Sequence, residues 1–200
     1  MKSFVGALIV SLMAFSAAHA DVYKIDTKES SVGWKGFKKM GSFHVGNIAV
    51  KDGEVQVDKK GQITSGVINV DMATISDLDL KDKPSDQKKL IGHLSSDDFF
   101  NVAKFPTSIF KITSVTAKDK TKKDEVTVKG ELTMMGQNKP VEFPAKINLD
   151  KGTLTGEALV KLDRTKWGLK YGSGNFFKEL TADKIISDEF ELTLKLVAKK

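Results

Sequence analysis

From Gln62 to the C-terminus the chain alternates apolar and polar residues with a period of two, and this pattern limits its folds more than any other feature. Ile68, Val70 and Met72 stand in one phase against Asn69 and Asp71. Val126, Val128, Leu132 and Met134 alternate with Thr127, Lys129, Glu131 and Thr133, and Val141, Phe143, Ala145, Ile147 and Leu149 with Glu142, Lys146 and Asn148. Leu154, Ala158, Val160 and Leu162 continue the series. Ile186, Phe190, Leu192, Leu194 and Leu196 close it against Glu189, Glu191, Thr193 and Lys195. Successive side chains of a strand point to opposite faces, so each segment reads as a strand with one dry face. Turn residues punctuate the series at Lys51-Asp52-Gly53, Lys60-Gly61, Lys118 to Asp124, Gly136-Gln137-Asn138 and Asp150-Lys151-Gly152. Short strands joined by tight turns form an antiparallel meander, and many one-faced strands bury that face by pairing with a second sheet or by closing on themselves. Closure also removes exposed edges, which favours an all-β barrel.

Helix competes in two places. Leu90, Ile91 and Leu94 have helical spacing, which predicts a helix over Ser85 to Leu94 with Ser85 or Asp86 at its start. A second, weaker helix is expected near Ser173 to Leu180. No linker, fixed-period repeat or low-complexity tract divides the chain after Ala20, so residues 21–200 read as one domain. Residues 1–20 read as a secretory signal peptide. Lys2 supplies the basic start, Phe4 to Phe15 is an apolar run shorter than a membrane span, and Ala18-His19-Ala20 offers small residues at both cleavage positions. The expected product is exported to the periplasm with Asp21 first, rather than secreted, and has no stable membrane anchor.

The sequence has no cysteine, which excludes disulfides, thiolate chemistry and a lipobox anchor. Its formal charge is +6; removing Lys2 with the signal peptide leaves +5. Arg164 is the only arginine, and the lysines are spread along the chain among acids. A nucleic-acid reader clusters arginine with aromatics, so no nucleic-acid partner is expected, and the lysines read as a solvated exterior. Catalytic material is thin. His44 and His93 lie far apart without metal-ligand spacing, and Gly172-Ser173-Gly174 lacks the spacing of a nucleophile elbow. Asp97-Asp98 and Asp77-Leu78-Asp79 sit in no calcium-loop pattern and read as caps or turns. The expectation is no enzyme, no metal and no cofactor.

Gly92 to Phe110 packs Phe99, Phe100, Phe105 and Phe110 around Pro106, and so much aromatic surface has to be buried. Pro106 ends any helical run and hands an extended Phe105 to a following strand. The stretch, with His93-Leu94, Asp98-Phe99-Phe100, Val102, Phe105-Pro106 and Phe110, resembles the signature of the YceI-like family of periplasmic lipid- or polyisoprenoid-binding proteins. The resemblance continues in Lys24-Ile25-Asp26 with Ser30 or Ser31, Gly41 to Gly46, Asp71 to Ile75, Gly130 to Gly136, Asp163 to Gly168 and Tyr171 to Phe177. Two places depart from the family pattern. Glu29 stands where many members carry a histidine, and Leu180 to Asp183 replaces a glycine-containing turn.

The resemblance implies a lipocalin-like antiparallel β-barrel of about eight strands with one or two short helices. It also implies a carrier or scavenger of an amphiphilic lipid: an isoprenoid, quinone or fatty-acyl chain. A barrel of that size either fills itself with side chains or holds one small ligand. Gly130 and Gly156, in the inward phase, favour a cavity, although bulges or bends explain such glycines equally well. Trp34, Phe99, Phe100, Phe105, Phe110, Phe143, Trp167, Tyr171, Phe176, Phe177 and Phe190 are the candidate lining, and Arg164 and Lys166 the candidates to meet a polar head at the mouth. The alternative is a filled barrel acting as a stress-linked structural or interaction protein without ligand. The sequence is also compatible with a homodimer.

Overall fold

The computed structural model describes residues 20–119 and 121–200, so the expected signal peptide lies, but for Ala20, outside the described residues. Nine strands follow in chain order: β1 (Asp21–Ile25), β2 (Ser31–Lys38), β3 (Phe43–Val57), β4 (Ile63–Asp71), β5 (Thr107–Ala117), β6 (Glu125–Met134), β7 (Gln137–Asp150), β8 (Thr153–Asp163) and β9 (Ile186–Lys199). Every pairing is antiparallel. The sheet runs β3-β2-β9-β8-β7-β6-β5-β4 and closes through a β3–β4 pairing. β1 and β2 share one barrel position between β3 and β9. β1 pairs with Glu54 to Val57 of β3 and Ala198 and Lys199 of β9, while β2 pairs with Phe43 to Ile48 and Ile186 to Lys195. The wall is therefore a closed eight-position barrel, one of whose strands is interrupted by the Asp26–Ser30 excursion. Ser30 stitches that break: its hydroxyl accepts from Val197 N at 3.0 Å and donates to Val197 O at 3.3 Å.

The hairpins follow from turn chemistry. Met135 and Gly136, at φ +51° and +71°, form the two-residue turn between Met134 and Gln137, and Lys151 and Gly152, at +45° and +80°, that between Asp150 and Thr153. Positive φ at both central residues matches the twist of the flanking strands. The first turn thus sits earlier than the expected Gly136-Gln137-Asn138, whose last two residues already belong to β7. The expected turn at Lys51-Asp52-Gly53 is instead a bulge inside the unbroken β3, where the register to β4 shifts between Val50 and Asp52. There Gly53 lets the strand bend against β4, since a Cβ would meet Val67 O at 2.6 Å.

One α-helix, α1 (Pro84–Ser95), lies between β4 and β5, and short 3-10 turns follow β4 (Met72–Thr74) and β8 (Arg164–Trp167). Pro84 starts α1, where its missing N–H costs nothing, and Ser96 closes it with its amide and hydroxyl on His93 O. The second expected helix does not form. Ser173 to Leu180 is a run of single turns with one i→i−4 bond, Phe177 N to Ser173 O, because Gly172 is in the left-handed region and Gly174-Asn175 is a poor helix interior. Among the described residues no helix is long and apolar enough to cross a membrane.

Candidate functional site

The barrel is packed in one half and hollow in the other. In the packed half Tyr23, Ile25, Val55, Val57, Ile68, Ile112, Val126, Val128, Phe143, Leu154 and Ala198 form a continuous buried cluster. Phe110 and Phe143 lie 5.6 Å apart within it. In the other half the inward positions include Gly36 and Ser108, and a Cβ on Gly36 would meet only the edge of Trp34 at 3.9 Å. The space left there is a cavity of about 810 Å³, within the usual range of small-molecule sites. Its lining is mainly apolar: Val32, Trp34, Ile48, Val70, Leu132, Met134, Ile186, Phe190 and Leu192 from the barrel, with Met72 of the following 3-10 turn, Leu90 and Leu94 of α1, and Phe99, Phe100 and Leu169. Its rim includes Phe37, Lys38, Tyr171, Phe177, Leu180 and Lys184.

The aromatic corner that follows α1 is held by a specific cluster. His93, in the last turn of α1, reaches Asp98 with Nε2 at 3.1 Å and meets Phe99 and Tyr171 edge-on, with centroids 4.9 and 4.6 Å away. Asn101, at φ +43°, lets the chain turn between Phe100 and the strand that Pro106 introduces. Beside the cavity, Trp34 Nε1 reaches over Gly46 of the neighbouring β3 and donates to Ser76 O at 3.0 Å. That contact requires Gly46, because a Cβ there would sit far inside van der Waals contact of the same carbonyl.

The structure brings together seven of the thirteen candidates on the cavity wall: Trp34, Phe99, Phe100, Arg164, Tyr171, Phe177 and Phe190. The others lie elsewhere. Phe110 and Phe143 belong to the packed half, and Trp167, 1% exposed, is anchored by its indole N–H on Leu132 O at 3.0 Å. Phe105 packs on Gly136 at the β6–β7 turn, Phe176 is 47% exposed with Lys170 Nζ 4.6 Å above its ring, and Lys166 is exposed away from the wall. Arg164 reaches the cavity, but its guanidinium donates to Ser187 O at 2.9 Å, Leu169 O at 2.7 Å and Ile186 O at 3.1 Å, with Asp188 at 3.5 Å. Burial holds this guanidinium below its ordinary pKa, against the pull of Asp188 and Asp163. It is a staple between the 3-10 turn and β9. Neither inward glycine opens the cavity: the Phe110 ring takes the volume beside Gly130, and Gly156 does not touch the wall. The wall residues that sequence reasoning missed include Val70, Leu132, Met134 and Leu192, whose phase marked them as inward although nothing local separated core from wall. They also include Val32, Gly36, His44, Ile48, Leu90, Leu94, Ser108 and Leu169, which lie outside the alternating segments.

A closed eight-position antiparallel barrel with an apolar cavity lined in part by residues of α1 defines a lipocalin-like fold. The chain matches the family model described as "YceI-like domain" over residues 23–198. It belongs to the YceI-like family. Protein YceI of Escherichia coli O157:H7 is 38% identical over 151 residues, covering 73% of this chain and 72% of that one. A UPF0312 protein of Shewanella denitrificans is 34% identical over 151 residues, with coverage of 72% and 70%. In fold the chain resembles BcnA of Burkholderia cenocepacia, at TM-score 0.65 and 21% identity over 86% of this chain and 98% of that one. It also resembles a polyisoprenoid binding domain from Saccharophagus degradans implicated in plant cell wall breakdown, at TM-score 0.62 and 11% identity over 88% and 97%.

Proposed function

We propose that the protein binds one long apolar chain carrying a small polar end, an isoprenoid, quinone or fatty-acyl lipid, and sequesters or carries it in the periplasm without transforming it. The observation that carries this reading is the 810 Å³ apolar cavity in one half of a barrel whose other half is packed. Family membership supports it, as does the fold shared with a polyisoprenoid binding domain. The basic start, short apolar run and Ala18-His19-Ala20 of residues 1–20 support the periplasmic assignment. Three of the polar side chains on the wall already have protein partners, His93 on Asp98, His44 on Asp79 and Arg164 on backbone carbonyls, which favours retention over reaction.

Chain length follows from magnitude. Each buried methylene contributes about 0.8 kcal/mol, whereas association costs roughly 4–15 kcal/mol, so ten or more carbons are needed before binding becomes useful. In this reading Trp34, Phe99, Phe100, Tyr171, Phe177 and Phe190 touch the chain, and the exposed aromatics and lysines of the rim meet the surface it leaves. The test is mass spectrometry of organic extract from natively purified protein, followed by titration of delipidated protein with an isoprenoid quinone while tryptophan emission is recorded. Trp34 lines the cavity and Trp167 does not, so the quinone should quench wild type strongly and Trp34→Phe weakly. The reading is overturned if no lipid is extracted and the titration leaves wild-type emission unchanged.

A further inference from the structure

At the rim of the apolar cavity, one group of side chains has an arrangement that neither packing nor lipid binding explains. After the 3-10 turn that follows β4, Ser76 to Leu80 runs beside the start of β3, with Ser76 N on Asn47 O at 2.9 Å and Leu78 N on Val45 O at 2.8 Å. His44, Asp77 and Asp79 each offer one donor atom here, all within 4.8 Å of one another. Both carboxylates are pinned by one oxygen and present the other. Val45 N donates to Asp79 Oδ1 at 2.8 Å, leaving Oδ2 against His44 Nδ1 at 2.9 Å, and Leu80 N donates to Asp77 Oδ1 at 2.8 Å. Asp77 is 4% exposed, and its Oδ2 is buried with no hydrogen-bond partner.

An unpartnered buried carboxylate oxygen is costly, and native proteins leave few. The neighbours make the cost larger, since a second carboxylate stands within reach of the first. Burial first, and then the neighbouring Asp79, push the Asp77 carboxyl above its ordinary range despite the amide of Leu80 and the nearby His44. A proton shared by the two carboxylates would relieve the repulsion, with His44 kept on Asp79, but would give the three side chains no common partner. A cation would engage all three donors.

We infer that His44, Asp77 and Asp79 form a binding site for a divalent first-row transition ion of the zinc class, placed at the rim of the cavity. One imidazole nitrogen and two carboxylate oxygens, with no thiolate, suit such an ion, and three protein ligands leave a position for water. At metal–ligand distances of about 2.0–2.2 Å, tetrahedral geometry sets the donors roughly 3.4 Å apart. The donors now lie within 4.8 Å of one another, so the ion would draw them together by side-chain rotation while the second carboxylate oxygens stay on the amides of Val45 and Leu80. Binding would replace the His44–Asp79 contact with a bond from each side chain to the ion. The ion would clamp the Ser76–Leu80 segment to β3, beside the Trp34–Ser76 contact and the mouth that His44 helps to line. The site does not depend on what occupies the cavity.

The experiment is calorimetric titration of chelator-treated protein with Zn²⁺ alone, with Ca²⁺ as the comparison, together with thermal melts with and without EDTA. Wild type should bind one equivalent of Zn²⁺, bind Ca²⁺ at least tenfold more weakly, and show a rise in Tm that EDTA reverses. Asp77→Asn preserves shape and places an amide donor beside Asp79, so it should fold normally yet lose at least tenfold in Zn²⁺ affinity. His44→Gln should do the same, and Asp98→Asn, at the separate His93 pair, should bind as wild type. Absence of Zn²⁺ binding in wild type overturns the inference, and so does a single equivalent bound undiminished by Asp77→Asn and His44→Gln. If wild type ignores Zn²⁺ while Asp77→Asn leaves the Tm of the metal-free protein unchanged, the inference falls and the carboxylates share a proton instead.

Discussion

Removing the guanidinium of Arg164 distinguishes a structural staple from a headgroup ligand. The residue is 5% exposed and its side chain places donors on the carbonyls of Leu169, Ile186 and Ser187, with Asp188 beside it. In Arg164→Met those three carbonyls lose a charged donor and Asp188 loses its counter-charge. Hydrogen bonds to charged groups contribute about 1.5–3 kcal/mol each, so three would sum to roughly 4.5–9 kcal/mol if no water replaced them. The carbonyls sit by a cavity that can admit water, which brings the expected loss down to the about 3–5 kcal/mol typical of breaking a buried pair from one side. For a chain of this length that is a fall in Tm of roughly 6–20 °C. Arg164→Lys keeps the charge but not the planar fork, and should recover less than half of the loss. The assay is thermal unfolding of the three proteins, with quinone binding measured well below the lowest Tm. If Arg164→Met melts within 2 °C of wild type, the staple argument is wrong. If it also loses lipid at that unchanged Tm, the guanidinium serves the ligand's head instead.

Two further outcomes follow from local geometry. Lys151 holds φ +45° beside Gly152, a conformation that costs a residue with a Cβ about 1–2 kcal/mol and that asparagine tolerates better, so Lys151→Asn should stabilise by about 0.5–1 kcal/mol, read as a Tm rise of about 1–4 °C; an unchanged or lower Tm counts against it. Asp26 is held below its ordinary carboxylate pKa chiefly by Lys199 Nζ at 2.7 Å, then by the amides of Glu29 and Lys28. Its folded value is below its unfolded value, so its contribution is complete above the ordinary carboxylate range and fades as pH falls through the folded value. The acid-side slope of Tm below about pH 4 should therefore be shallower in Asp26→Asn, and equal slopes would refute this.

β4 and β6 to β9 were legible because a period of two survives any tertiary context: one face of each must leave water, and the polar phase marks the other; β5 was legible only as the strand that Pro106 introduces. α1 was legible from three leucine and isoleucine positions, and the family resemblance rested on the contiguous corner from His93 to Phe110. The barrel's first three strands carry weaker alternation, and the Lys51–Gly53 bulge imitates a turn because a kinked strand and a turn favour the same small and polar residues. The aromatic content predicted a buried apolar interior correctly, yet it could not assign each ring to a role. Phe143 and Phe190 have the same phase and similar neighbours in sequence, but Phe143 packs on Phe110 in the filled half while Phe190 faces the cavity.

The sequence alone therefore determined the inward phase of β4 and of β6 to β9, because that phase depends only on neighbours two apart along one strand. Which inward residues touch each other, and which face empty space, depends on the stagger of eight strands around the closed ring and on the segments that cross its end. That arrangement sets Gly36 and Ser108 in one half and Tyr23, Phe110 and Phe143 in the other, and it brings Asp77 and Asp79 to His44 across a gap of more than thirty residues. Tertiary structure alone decided these outcomes, since side-chain volume and charge act across space and register fixes the distances over which they do so.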